Sequence, residues 1–483
     1  MTEEFQNCWY EGNIIAIREG ESCRLPDEPE YEALCNSLSK VKPVVSDASL
    51  ELSQGLGFLP REEIVSAKVQ CDADERLLLF QAEGVSSPVG IFTFNVGDSK
   101  SYTLVVYPKI FDDPREGLRT LFYTIERVLL EKTGYSLTVK LTRLEAGGEN
   151  LFDIWMRIIY LIYIKVLSRE LLKGAYHEYT RVVWEDPRVS GKILVSKQVR
   201  RPVTGRLRII QESYPYSLDN TLNRVLKYAA NIAYRRLLGM GNIANEAKRI
   251  LSLFSDVRLD PSSVWVKFEF NRLSERFEIP YRIAQLIIFA KGLPGEKMLN
   301  GILIDMNVLF ERYVYSLLKQ QLRGWSVEYQ KELGFASIWG KRIKQRPDLV
   351  LKHSQNNTCI VLDVKYSVLT SSYEPSLIVD RLKQHVDDLR QIFTYHTLLE
   401  NLDESGCSKG AVYSELIYLA GEGASSGYAR SVYGAYETVA RQKCFKVTLL
   451  SPKAIAEAAE NPAVSAMIEE MIAREVVDIK GCG

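Results

Sequence analysis

Hydrophobic and polar positions change their rhythm several times along the chain. Up to about residue 115, short apolar runs divided by polar turns predict strands at 63–69, 76–80, 90–94 and 102–110. The last two flank the polar segment Asn95-Val96-Gly97-Asp98-Ser99-Lys100-Ser101 and predict a hairpin with an extended tip. From about 116 to 180 the apolar residues recur at helical spacing, and 151–172 is apolar enough to predict a buried helix. Strand character returns at 182–212, and helical character follows at 218–256, where Ser217-Leu218-Asp219-Asn220 supplies N-cap candidates. Beyond 300, an amphipathic helix is expected over 306–314, then two buried strands at 349–351 and 359–362 joined by the polar turn 352–358. A helix at 387–395, strands at 411–419 and 444–450, and helical structure from about Pro452 complete the pattern. The fold expected is a multidomain α+β chain. Residues 1–115 form a β-rich domain, 116–299 a mixed helical middle domain with a basic strand region, and 300–483 a carboxy-terminal α/β domain.

Composition narrows the function classes. The chain has 483 residues, 46% of them hydrophobic, with 61 Lys and Arg against 61 Asp and Glu. A zero net charge supplies no global attraction to nucleic acid, so any such contact must come from local patches. Two patches stand out. One holds Lys192, Lys197, Arg200, Arg201, Arg206 and Arg208, and the other holds Lys341, Arg342 and Lys344, with Arg346 beside them. Phosphate contact is one reading of each; the other is a solvated face or a protein interface for the first and a solvated loop for the second. The eight cysteines contain no CxxC pair and there are four histidines, so no zinc site is expected and the thiols suit a reducing cytoplasm. The acidic opening Met1-Thr2-Glu3-Glu4 does not read as a signal peptide. The apolar run from Ile158 to Ile164 is too short to cross a membrane. No GxxxxGK[ST] loop is present, which argues against nucleotide hydrolysis by the chain itself.

The chemistry-bearing stretch begins at Pro347-Asp348 and closes at Asp363-Val364-Lys365. The first carboxylate opens one buried strand and the second closes the next, so an antiparallel pair brings both to the same end of a sheet. Divalent cations favour hard oxygen ligands, and magnesium usually takes one or two protein carboxylates. Asp348 and Asp363 fit that need. Lys365, two residues past Asp363, shares its strand face and is suited to orient a water or stabilise charge on a phosphate. Glu311 in the preceding helix, and Gln391 and Tyr395 four apart on the following one, are further candidates. The plainer reading of each is a solvated strand end or a paired helix charge.

Pro-Asp followed by Asp-x-Lys resembles the signature of the PD-(D/E)xK nucleases. Over most of its length the chain further resembles the McrC family, the nuclease subunits of McrBC-type modified-cytosine restriction systems. That resemblance rests on Gly90, Tyr107-Pro108-Lys109-Ile110, Gly191-Lys192-Ile193, the run from Ser217 to Arg224, Leu309-Phe310-Glu311-Arg312-Tyr313 and the nuclease motif. It implies cleavage of modified double-stranded DNA with Mg2+ or Mn2+, at a centre of Asp348, Asp363 and Lys365. It also implies an AAA+ GTPase hexamer of McrB type as partner, whose GTPase the chain stimulates. The tip residues Asn95, Asp98, Ser99 and Lys100 become candidates for contacting that partner. Residues 1–50 have no role assigned by the resemblance. Two other readings remain open. One is a stand-alone RecB-like nuclease, suggested by the Gln391-x-x-x-Tyr395 pattern, and the other is a non-catalytic scaffold that activates a GTPase.

Overall fold

The computed structural model describes residues 8–479 apart from 12, 42–43, 46, 61–64, 73–74, 97–99, 134–150, 180, 200–207, 261–262, 264–267, 290–299, 339–340, 371–373, 403–405, 408–410, 422–427, 438–441 and 461. The chain divides into two compact units, one made of Met1–Ile154 with Pro294–Gly483 and the other of Trp155–Leu293.

In chain order the first unit opens with β1 (Cys8–Glu11), β2 (Ile14–Arg18), β3 (Ser22–Arg24), α1 (Pro29–Val41), α2 (Asp47–Leu56), β4 (Ser66–Asp72), β5 (Leu77–Glu83), β6 (Pro88–Val96), β7 (Lys100–Tyr107) and α3 (Pro114–Thr133). The second holds most of α4 (Leu151–Leu172), then β8 (Glu178–Tyr179), β9 (Val182–Asp186), β10 (Lys192–Ile193), α5 (Val195–Val199), β11 (Ile209–Ser213), β12 (Tyr216–Ser217), α6 (Thr221–Arg236), α7 (Asn242–Leu253) and α8 (Glu278–Phe289). The first unit resumes with β13 (Asn300–Asp305), α9 (Met306–Gln321), β14 (Trp325–Tyr329), β15 (Gly334–Ile338), β16 (Lys341–Gln345), β17 (Leu349–His353) and β18 (Cys359–Thr370). It ends with α10 (Pro375–Leu382), α11 (Val386–Asn401), β19 (Val412–Ala420), β20 (Ala429–Glu437), β21 (Gln442–Leu450), α12 (Pro452–Glu460) and α13 (Pro462–Val477).

The amino-terminal sheet has the order β1-β2-β7-β6-β13. The expected hairpin is there as β6 and β7, paired from Gly90↔Val106 out to Val96↔Lys100. Its outer neighbour is unexpected. The apolar run Ile302-Leu303-Ile304 forms β13, which pairs antiparallel with β6, so a line drawn at residue 300 falls at the edge of an amino-terminal strand. Two glycines permit that approach. A Cβ on Gly90 would strike the Ile302 carbonyl oxygen, and one on Gly301 would strike that of Ile91. The β-rich region also carries helices that alternation did not suggest. Leu34 and Leu38 of α1 are buried with Ile15, Ile17, Phe92 and Leu303 in one core.

The cysteine expectation needs correction. Cys35 is bonded to Cys71, and Cys359 to Cys407. The partners lie 36 and 48 residues apart, so only tertiary packing makes them neighbours. Among the described residues no helix is long and apolar enough to cross a membrane.

In the second unit the run from Ser217 to Arg224 is a helix-start network. Asn220 caps α6 by accepting from the Asn223 N–H at 3.0 Å. The buried Asn223 amide donates to the carbonyls of Tyr176 and Leu218. Asp219 is clamped between Arg224 and Arg258, each at 2.7 Å. Strands β10, β11 and β9 form a small sheet, but the residues between β10 and β11 include a helical turn, α5, where strand was expected.

The carboxy-terminal part of the first unit is built on a six-stranded sheet of order β14-β17-β18-β19-β21-β20. β17 and β18 form the predicted antiparallel hairpin, with Leu349 opposite Leu362. β18, β19 and β21 run parallel, and β20 returns antiparallel at the edge. Helices α9 and α11 pack on this sheet. Val361, Ile392, Leu399, Leu416 and Tyr418 share one core, while Phe310 of α9 meets Tyr366 at 6.0 Å between ring centroids.

Candidate active site

The hairpin sets the two aspartates side by side. Asp348 stands just before β17, where its carbonyl accepts from the Gln330 N–H at 2.8 Å. Its carboxylate accepts from the Val364 N–H of β18 at 2.6 Å, which ties it across the hairpin. Asp363 lies within β18, paired with Leu416 of β19, and is only 1% exposed. Strand alternation aims Lys365 along the same face. Its Nζ sits 2.7 Å from Asp363 Oδ2 and donates to Gln391 Oε1 at 3.1 Å. Gln391 donates in turn to the Tyr395 hydroxyl at 2.8 Å, as expected of residues four apart on a helix. Glu311 enters from α9, buried, with Gln330 donating to its Oε1 at 2.9 Å. All six candidates therefore converge, from one helix, one hairpin and a second helix.

Their electrostatics are those of a site with too many acids for its bases. Burial pushes the Asp348 carboxyl well above the usual range, and the charges of Glu311 and Asp363 push it further while the Val364 N–H opposes them. Burial raises Asp363 as well, against the pull of Lys365. Glu311 is raised by burial, with hydrogen bonds from Gln330 and Asp348 opposing. Burial alone would lower the Lys365 ammonium, but Asp363, Asp388 and Asp348 outweigh it and raise it. Crowded carboxylates that favour protons in this way also favour a cation. Among the described residues no three or more His, Cys, Asp or Glu side chains close into a cage. The donor set suits a hard cation that takes one or two carboxylates and fills the rest of its shell from water or phosphate.

Sequence reasoning passed over several neighbours. Asp388 Oδ1 lies 3.5 Å from Lys365 Nζ, and its spacing three residues before Gln391 on α11 was a usable signal. Gln330, just past β14, and Tyr418 of β19 arrive from elsewhere in the chain and gave none. The basic stretch from Lys341 to Gln345 is strand β16, paired with β15, rather than a loop. Lys344 within it lies 3.2 Å from Glu332, and the side chains of Lys341 and Arg342 lie outside the described residues. In the other basic patch Lys192 lies 3.4 Å from Glu212. Lys197 and Arg208 are exposed. Arg200, Arg201 and Arg206 lie outside the described residues, as do Asp98 and Ser99 of the hairpin tip. Asn95 and Lys100 are placed by backbone only, at the ends of β6 and β7.

The comparisons with known proteins bear on this arrangement. Residues 85–408 match the family described as McrBC 5-methylcytosine restriction system component. The chain is also similar to one in the refined half-complex from the tetradecameric assembly of Thermococcus gammatolerans McrB AAA+ hexamers with bound McrC. That likeness is 18% in identity, covers 91% of this chain and 94% of the other, and has a TM-score of 0.47. A second similar chain, in the cryo-EM structure of the Thermococcus gammatolerans McrBC complex, is 19% identical, covers 78% and 99%, and has a TM-score of 0.35. No curated protein matches the chain. The family match takes in well over half the sequence and every member of the carboxylate cluster from Glu311 to Tyr395, and on it the chain belongs to the McrBC 5-methylcytosine restriction system component family.

Proposed function

We propose that this chain is the McrC-type nuclease subunit of a GTP-dependent restriction complex that cuts modified double-stranded DNA. In this reading it is a PD-(D/E)xK endodeoxyribonuclease dependent on Mg2+ or Mn2+. It works with an AAA+ GTPase hexamer of McrB type and stimulates that GTPase. The observation that carries the reading is the meeting of Asp348, Asp363 and Lys365 at one end of a buried hairpin. The family match and the McrB–McrC complexes to which the chain is similar support the choice of partner.

Asp348 and Asp363 would hold the cation. When bound, it supplies charge neutralisation at the phosphate and a lowered pKa for a coordinated water. The chain's own residues do the rest. Lys365 faces the same space and stabilises charge developing on the phosphodiester. Gln391 fixes the ammonium, and Tyr395 fixes Gln391. Burial of Asp363 keeps bulk water from screening the site.

The test is cleavage of methylated and unmethylated plasmid by the purified chain with Mg2+, with and without an McrB-type partner and GTP. Cleavage that needs the partner, GTP and the modified base is expected. Cleavage by the chain alone, indifferent to GTP and modification, would favour the stand-alone RecB-like alternative, whose supporting observation is the Gln391–Tyr395 hydrogen bond.

A further inference from the structure

Lys365 has a sharing problem. Its Nζ leans on Asp363 Oδ2 at 2.7 Å, yet Asp363 is also one of the two carboxylates proposed to hold the cation. A lysine ammonium has three protons to donate. If Asp363 turns to a metal, Lys365 needs another anionic anchor to keep its aim.

The first turn of α11 provides one. Asp388 Oδ1 lies 3.5 Å from Lys365 Nζ. Its other oxygen is held from behind. Oδ2 accepts from the Tyr418 hydroxyl at 2.5 Å and lies 3.4 Å from His385 Nδ1. Tyr418 is fully buried in β19, and His385 meets its ring edge-on at 5.7 Å. One face of the carboxylate is thus fixed to the sheet while the other points at the ammonium. Asp388 and Gln391, three apart on one helix face, bracket Lys365 without using Asp363.

We propose that Asp388, held by Tyr418 and His385, is a positioning residue that keeps Lys365 aimed at the phosphate when Asp363 is engaged by the cation. Two of the lysine's protons then go to Asp388 and Gln391, and the third is free for a water or a phosphate oxygen. This inference rests on the nuclease reading. It predicts a loss in rate without a loss in metal affinity.

The experiment is single-turnover cleavage by the full complex, with partner, GTP and modified plasmid, across a Mn2+ titration. For Asp388→Asn the rate at saturating Mn2+ should fall roughly 10–100-fold, the size typical of losing a residue that orients a ligand. The Mn2+ concentration at half-maximal rate should stay within about twofold of wild type, because the proposed cation ligands are untouched. Asp388→Glu should recover part of the rate. Tyr418→Phe, which keeps the charge but frees the carboxylate, should fall between wild type and Asp388→Asn. Wild-type rates in Asp388→Asn would overturn the proposal. So would a rise in its Mn2+ requirement matching that of Asp348→Asn, which would make Asp388 a metal ligand. An Asp363→Ala control separates the two levels. If it still cuts, the nuclease reading itself fails; if it is dead while Asp388→Asn is fully active, only the positioning role fails.

Discussion

Two clusters of buried charge sit on the same six-stranded sheet and have opposite characters. The candidate site gathers Asp348, Asp363 and Glu311 around one ammonium, Lys365. The other sets one acid against one base. Glu415 of β19 is fully buried and accepts from the Thr448 hydroxyl, with Lys446 Nζ at 3.4 Å. Lys446 is itself 3% exposed and donates to the carbonyls of Glu475, Val476 and Asp478 at and beyond the end of α13. Those are the orphan acceptors that every helix terminus leaves, so this lysine closes α13 onto the sheet. Burial of charge therefore does not mark a site by itself. The mark is a surplus of one sign, held by backbone and side chains that do not neutralise it.

The sharpest way to break the comparison is to remove the acid from the first cluster. Asp363→Ala should abolish plasmid cleavage, a loss of at least about 100-fold given the stabilisation such a charge centre supplies. It should leave stimulation of the partner GTPase unchanged. Equal loss of both activities would mean that the fold, not the chemistry, had been damaged.

The second cluster should fail differently. Lys446→Met strands Glu415 and frees three carbonyls, and breaking a buried pair costs about 3–5 kcal/mol. Thermal or urea unfolding should register that loss. Lys365→Met should move unfolding far less and cleavage far more. A Lys446→Met chain as stable as wild type would show that the pair has no structural weight.

The disulfides give an effect of slightly smaller size. Opening loops of 36 and 48 residues should cost roughly 2–4 kcal/mol each, the range typical of disulfides. Cys359–Cys407 encloses Asp363, Lys365, Asp388 and Gln391, so Cys407→Ser should lower the unfolding midpoint measured without reductant. An unchanged midpoint would mean that the two sulfurs are not bonded in solution.

A pH effect is the smallest. Burial pushes Glu126 of α3 up to about 7, with Arg127 opposing. The folded state thus holds that proton more tightly than the unfolded one. The stability it contributes is full below pH 4.5 and is lost as pH rises through about 7, to a limit of about 3 kcal/mol. Glu126→Gln should therefore gain on wild type between pH 5 and pH 8 in melting temperature. A gap that does not widen with pH would refute the assignment.

What sequence made legible follows the same division. The hairpin carrying Asp348 and Asp363 was readable because two apolar runs and a polar turn are local, and a two-residue step fixes the face of Lys365. Gln391 and Tyr395 were readable because i and i+4 share a helix face. The missing pieces are long-range. β13 pairs with β6 across some two hundred residues of chain, and no periodicity announces that. Tyr418 reads as one more core aromatic until the sheet sets its hydroxyl against Asp388. Lys446 lies in a run that reads simply as a strand, and only α13 gives its ammonium a purpose. Edge strand β20 was missed because its alternation is broken by Gly434 and polar residues.

The central claim, that an acid surplus at this hairpin is built for a divalent cation, is tested most directly by calorimetric titration of Mn2+ into the purified chain. The account predicts binding by wild type with release of protons, since the crowded carboxyls must give them up. It also predicts loss of that binding in Asp348→Asn and Asp363→Asn, with unfolding otherwise intact. Binding of equal strength in both variants, or none in the wild type, would contradict it.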